Sequence, residues 1–93
     1  MENILLDPHG NVKLIDFGFS IKVPKNRKLN IFCGTPSYMS PEIVSKVVKY
    51  FIFKTPHVPF TSDIWSLGIL LSTMLTGQHP FKGCNDRDLY RNI

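Results

Sequence analysis

The sequence predicts an α+β chain, mostly helical, with one small β-hairpin and a long irregular segment between the hairpin and the helices. Three observations carry that reading. Two short apolar runs, Ile4-Leu5-Leu6 and Val12-Lys13-Leu14-Ile15, flank the turn-forming stretch Asp7-Pro8-His9-Gly10-Asn11, the pattern of a hairpin. Periodicity then lapses between Asp16 and Ser40, where Gly18, Pro24, Gly34 and Pro36 punctuate the chain; a stretch that long without regular structure inside a small unit usually carries function. Apolar residues at helical spacing dominate the C-terminal half of the chain.

Each helix has start or stop signals. Pro41-Glu42-Ile43-Val44-Ser45-Lys46 suits a short helix, with Ser40 as N-cap and proline at the first helical position, where its missing N–H costs nothing. A second helix can be capped by Thr61 or Ser62, has Asp63 at the positive end of its dipole, and carries Ile64, Trp65, Leu67, Ile69, Leu70, Leu71, Met74 and Leu75 before Gly77 stops it. Those residues cover almost every face, and a helix apolar all round must be surrounded by protein. The hairpin and the short helices are too small a coat, so a partner or further sequence is implied. A last helix starts at Asn85 and runs through Asp86, Leu89 and Tyr90.

Composition narrows the class. In 93 residues, 43% are hydrophobic and 19% charged, below the roughly 25% charge of average globular domains, which excludes a disordered chain and a multidomain machine. The net charge of +4 concentrates at Lys22, Lys25, Arg27 and Lys28. No aromatic residues interleave with them as a stacking platform for nucleic acid requires, so this is a solvated loop and no nucleic-acid partner is expected. Cys33 and Cys84 form no CxxC pair and have no histidine cluster nearby, which argues against zinc or a disulfide framework. The longest apolar stretch, Ile64 to Leu75, is too short to span about 30 Å of hydrocarbon, and the N-terminus lacks the cationic region of a signal peptide. A cytoplasmic chain without a membrane partner is expected.

Candidate chemistry sits at the mouth of the hairpin. Asp16-Phe17-Gly18 follows its second strand and Asn3 precedes its first, so the hairpin gathers a carboxylate and an amide oxygen. Two hard oxygen donors suit Mg²⁺, which takes one or two protein carboxylates and completes its octahedron with phosphate oxygens and water. Taken alone, Asp-x-Gly is more often a turn.

The order of motifs resembles the protein kinase family. Glu2-Asn3-Ile4-Leu5-Leu6-Asp7 is similar to the end of the catalytic loop and the strand after it, and Val12-Lys13-Leu14-Ile15-Asp16-Phe17-Gly18 to the strand leading into the metal-binding turn. Cys33-Gly34-Thr35-Pro36-Ser37-Tyr38-Met39-Ser40-Pro41-Glu42 resembles the end of an activation segment, with Ser40 where alanine is usual. Asp63-Ile64-Trp65-Ser66-Leu67-Gly68 resembles the central helix of the large lobe, and Pro80-Phe81-Lys82-Gly83 comes after it as in many kinases. The likeness covers nearly the whole chain, 1–93, as a partial kinase domain running from the end of the catalytic loop to the helix after the central helix.

The resemblance implies roles. Asn3 and Asp16 hold Mg²⁺ ions that bridge ATP phosphates, Gly18 completes the nucleotide-binding turn, and Leu5 floors the adenine pocket. Thr35 resembles the threonine that supports the catalytic aspartate and favours Ser or Thr acceptors in protein substrates. Asp63 anchors the catalytic-loop backbone, and Leu70 and Met74 support the hydrophobic spines, although these two and Trp65 are core residues of a buried helix on any reading. ATP and Mg²⁺ are the implied cofactors.

Departures from the family pattern matter as much. The sequence contains no Gly-rich loop, Val-Ala-Ile-Lys strand or His-Arg-Asp, and the family's catalytic base, five residues before the asparagine, would lie upstream of Met1. A truncated large-lobe fragment is therefore expected, needing the missing small lobe as partner and inactive alone. Likewise, the family pairs the residue at Glu42 with an arginine from a later helix. The step from Glu42 to Asp63 exceeds the family's usual spacing, and residues 47–54 (Val-Val-Lys-Tyr-Phe-Ile-Phe-Lys) are the surplus. They read either as a surface insertion or as an intron retained in frame, with Tyr50 to Phe53 an aggregation-prone strand former. Ile31 occupies the place where related kinases carry an activating threonine, leaving Ser20 and Ser37 as acceptors. Two functions are thus expected: a serine/threonine kinase fragment nearest the calcium/calmodulin-dependent or AMP-activated groups, or a non-catalytic, kinase-derived interaction module or pseudogene product.

Overall fold

A computed structural model describes residues 2–24, 33–49 and 59–93. The basic residues Lys25, Arg27 and Lys28, Ile31 and the segment 50–54 lie outside the described residues.

β1 (Ile4–Leu6) and β2 (Val12–Leu14) pair antiparallel, with Ile4 opposite Leu14, Leu5 opposite Lys13 and Leu6 opposite Val12. One carboxylate organises the turn between them. Asp7 Oδ1 accepts the backbone N–H of His9 at 2.9 Å and of Asn11 at 2.8 Å, while Oδ2 accepts the Asn11 side-chain amide at 2.9 Å and stands 3.9 Å from Lys13 Nζ. The amide and backbone N–H of Asn11 hold the Asp7 carboxyl below the usual aspartate range. Both faces of this ribbon are open, with Leu6, Val12 and Leu14 exposed on one and Leu5 and Lys13 on the other.

After the irregular stretch, the chain makes a 3-10 turn at Pro36–Tyr38 and enters α1 (Pro41–Lys49), followed by α2 (Pro59–Thr76) and α3 (Asp86–Asn92). Three details depart from the sequence reading. α1 continues to Lys49, three residues past the expected end, because Ile43, Val44, Val47 and Val48 recur at helical spacing; residues 47–49 prolong a helix. α2 starts at Pro59, so Thr61 and Ser62 lie inside the first turns and neither caps it. Ser40 precedes α1 and its carbonyl accepts from Ile43 and Val44 N–H at 2.9 and 3.0 Å, but its hydroxyl turns to Ser62 instead of to the helix. Gly77 does end α2, in the left-handed region at φ 71°, donating its N–H to the Thr73 carbonyl. α3 begins where expected, and Asn85 proves to be its cap, its side chain accepting Asp88 N–H at 3.0 Å.

The described core is small: Met39, Val44, Ile69 and Leu89 from four successive parts of the chain. Around it, Tyr38 meets His79 edge to face at 5.0 Å, and Trp65 stacks on Phe81 at 5.8 Å. The buried nitrogens Trp65 Nε1 and His79 Nδ1 have no hydrogen-bond partner among the described residues. The face of α2 turned to this core carries Ser62, Ser66, Ile69 and Thr73, three hydroxyls and one aliphatic chain. The more apolar residues Ile64, Leu67, Leu71, Met74 and Leu75 are exposed. Within these residues Met74 is therefore not core, contrary to the sequence expectation, whereas Trp65 and Leu70 are half-buried.

Candidate functional site

The hairpin register places the first two site residues. Ile15 N–H donates to the Asn3 carbonyl at 3.0 Å, continuing the ladder one step beyond the strands. Asn3 therefore faces Ile15 across the ribbon, and Asp16 is the next residue along. A five-residue connection, closed by Gly10 in the left-handed region at φ 81° and by the Asp7 bonds, determines that alignment.

Asp16 itself has φ 62°, the sole described non-glycine residue in the left-handed region. That conformation costs a non-glycine residue of order 1 kcal/mol, and aspartate offsets part of it by local hydrogen bonding. Here Oδ1 accepts Gly18 N–H at 3.1 Å. Strain held by a specific side-chain bond beside a site is an observation that points to function. A Cβ at Gly18 would stand 3.1 Å from the same Oδ1, so the glycine makes room for the carboxylate. Ser20 closes the turn, its hydroxyl donating to the Phe17 carbonyl at 2.7 Å and its N–H at 2.9 Å.

The donor set fits a hard divalent cation shared with phosphate: one exposed carboxylate with one oxygen engaged by Gly18, and one exposed amide on the facing strand. No group of three or more metal-ligating side chains occurs among the described residues, and Mg²⁺ asks for fewer than three from the protein. Leu5, at the centre of β1, is about half-exposed at 48%.

The second half of the site is built on the core face of α2. Thr35 is exposed and precedes the 3-10 turn, its carbonyl accepting Tyr38 N–H at 3.0 Å while its side chain makes no capping bond. The segment from Thr35 to Ser40 is tied to α2 twice: Ser66 Oγ donates to the Tyr38 carbonyl at 2.8 Å, and Ser40 Oγ meets Ser62 Oγ at 3.2 Å. Glu42 Oε1 accepts Ser62 Oγ at 3.2 Å and Thr61 Oγ1 at 3.5 Å. Burial alone would push the Glu42 carboxyl up; its own backbone N–H and the hydroxyls of Ser40, Ser62 and Thr61 outweigh that and hold it low. Asp63 is exposed, and its carboxylate has no hydrogen-bond partner among the described residues.

Sequence reasoning missed Ser62 and Ser66 as holders of this segment. Their four-residue spacing on one helix face was the available signal, hidden because both also read as capping or solvent residues.

An open hairpin leads into a strained Asp-x-Gly turn, and a proline-containing turn is strapped to a long helix after it. The chain belongs to the protein kinase family: the model for the protein kinase domain matches residues 1–93. It is similar to the eye isozyme of protein kinase C from Drosophila melanogaster, 43% identical over 96 residues covering 100% of this chain and 12% of that protein. It is also similar to CBL-interacting serine/threonine-protein kinase 15 from Arabidopsis thaliana, 39% identical over 95 residues, 99% of this chain and 21% of that protein. Human cGMP-dependent protein kinase 2 is 42% identical over 92 residues, 99% of this chain and 11% of that protein. The chain thus corresponds to part of a protein kinase catalytic domain and spans about a fifth or less of these relatives' length.

Proposed function

We propose that the intact protein containing this chain is a serine/threonine protein kinase that transfers the γ-phosphoryl group of ATP to hydroxyls of protein substrates. The chain would form part of its large lobe, and residues 16–42 its activation segment. The observation that supports this reading is the pairing of Asn3 with Ile15, which puts Asn3 opposite the residue that precedes the strained Asp16.

Asp16 and Asn3 would hold Mg²⁺, which when bound supplies charge neutralisation across the phosphates. The chain's own residues do the rest by positioning. Gly18 keeps the Asp16 carboxylate aimed by donating its N–H. Leu5 offers an apolar floor to the adenine, and its exposure leaves that surface available. Thr35 stands exposed at the start of a turn strapped to α2, where it would support the catalytic base and the acceptor hydroxyl. That base and the phosphate-clamping lysine must come from residues outside this chain, so the isolated 93-residue chain is inactive. A cytoplasmic location without nucleic-acid or membrane partners is part of this proposal. Separately, no described helix is long and apolar enough to cross a membrane.

The test is phosphoryl transfer from ATP to a protein acceptor by the intact protein, with Asp16→Asn compared to wild type. We expect a fall of at least about a hundredfold for Asp16→Asn, as for loss of one preorganised charge at a transition state, with Mg²⁺-dependent nucleotide binding weakened in parallel. Undiminished transfer by Asp16→Asn would overturn the assignment.

A further inference from the structure

We propose that His79 is a positioning residue for the turn that begins at Thr35: its ring clamps Tyr38 while Ser66 holds the Tyr38 carbonyl, and together they set where Thr35 stands, a role that rests on the kinase reading of Thr35. Tyr38 is engaged through its N–H, its carbonyl and its ring at once. The N–H donates to the Thr35 carbonyl at 3.0 Å and closes the turn, the carbonyl accepts Ser66 Oγ at 2.8 Å, and the ring meets His79 edge to face at 5.0 Å. Thr35 is exposed and its side chain caps nothing, so its place follows from that closed turn.

The chain brings His79 to Tyr38 by reversing after α2. Gly77 takes the left-handed region at φ 71°, and Gln78 N–H donates to Thr76 Oγ1 at 3.3 Å. Phe81 then stacks on Trp65, well before the helix end, so the connection runs back along α2. Phe81 lies two residues beyond His79, and Trp65 lies next to Ser66. The stack therefore fixes the register in which His79 reaches the residue that Ser66 holds. His79 is outside the Pro80-Phe81-Lys82-Gly83 run that carries the likeness to other kinases.

At this contact the imidazole acts as a ring. His79 and Tyr38 are both half-buried, and an edge-to-face pair contributes beyond the area it buries. His79 Nδ1 is buried with no hydrogen-bond partner among the described residues, so there it adds a desolvation cost and no bond. Phenylalanine keeps the ring without that nitrogen and should serve as well as histidine. Leucine fills the space and alanine empties it, and neither offers Tyr38 an aromatic ring.

Amide hydrogen exchange on the intact protein tests this at Tyr38 and Met39, whose N–H groups close the turn on Thr35 and Pro36. His79→Ala and His79→Leu should each quicken both amides about threefold to tenfold, the loss of one aromatic pair, while His79→Phe stays within about twofold of wild type. Equal exchange in the Leu and Phe variants would overturn the clamp, and if His79→Ala does not fold, that comparison decides alone. Transfer kinetics separate positioning from general destabilisation. A turn that must be reordered on binding lowers the competent fraction, so His79→Leu should raise KM for a peptide acceptor about fivefold, with KM for ATP unchanged and His79→Phe like wild type. Equal rises in both KM values would overturn the positioning role. Wild-type protein with no transferase activity but with the expected exchange pattern would remove the kinase reading and leave the clamp standing; an active enzyme whose Tyr38 and Met39 exchange ignores His79→Leu would do the reverse.

Discussion

Gly83 lies against the backbone of Leu89 so closely that a Cβ on residue 83 would stand 2.2 Å from the Leu89 nitrogen and 2.7 Å from its Cα. No side-chain rotation relieves a clash with helix backbone. The contact seats α3 beside the connection that leaves α2, and Asn92 Nδ2 fastens the far end of α3 to the Lys82 carbonyl at 2.7 Å. Gly83→Ala must push α3 away and pull Leu89 out of the core. We expect a loss of about 3 kcal/mol, the upper part of the overpacking range, measured by urea denaturation of the intact protein. In the 93-residue chain by itself, where nothing lies within 4 Å of a Cβ at Gly68, Gly68→Ala should raise helix content by circular dichroism, since alanine is favoured over glycine by about 1 kcal/mol in a helix interior.

The hairpin should respond to acid through Asp7. Its carboxyl is held low in the folded ribbon by Asn11 and His9, so the linked stability is fully present above the usual aspartate range. It is lost as pH falls through the lower folded value, from about pH 4 downward. The His9 and Asn11 amide resonances should shift together, with a midpoint below that of an unstructured aspartate. Asp7→Asn should abolish the shared transition, and a midpoint at or above the ordinary value would contradict the geometry.

Helix α3 depends on its cap. Asn85 accepts from Asp88 N–H and reaches back to the Asp88 carboxylate at 3.3 Å with its own amide, so both side chains serve one helix start. Asn85→Ala should cost about 1 kcal/mol, read from the urea midpoint of the intact protein. Asn85→Asp should keep most of that stability, because the backbone acceptor survives.

The hairpin and the α3 start were legible in the sequence because their signals are local. Asp7-Pro8-His9-Gly10-Asn11 can do little but turn, and Asn85-Asp86 ahead of Leu89 and Tyr90 marks a helix start, although the capping bond to Asp88 was not read from it. The start of α2 was misread for the opposite reason: Thr61 and Ser62 look like caps, but tertiary partners Glu42 and Ser40 engage Ser62 inside the helix. The left-handed backbone of Asp16 was not legible either. Only its bond to Gly18 accommodates it, and that bond depends on a conformation the residue type merely tolerates.

The polarity of α2 leads to the last prediction. Its inward face offers Ser62, Ser66 and Thr73, while Ile64, Leu67, Leu71, Met74 and Leu75 face outward, Leu75 at 78% exposure. Hydroxyls position the Thr35 segment but bury little apolar area, so most of the burial free energy of α2 must come from protein that covers its other faces, at roughly 25 cal/mol per Å². Expressed alone, the 93-residue chain should bind a hydrophobic dye and self-associate. Leu67→Glu with Leu71→Glu should reduce both in the chain alone, while in the intact protein the same pair should be severely destabilising. A monodisperse chain with a sharp thermal transition and no dye binding would show instead that these faces need no cover.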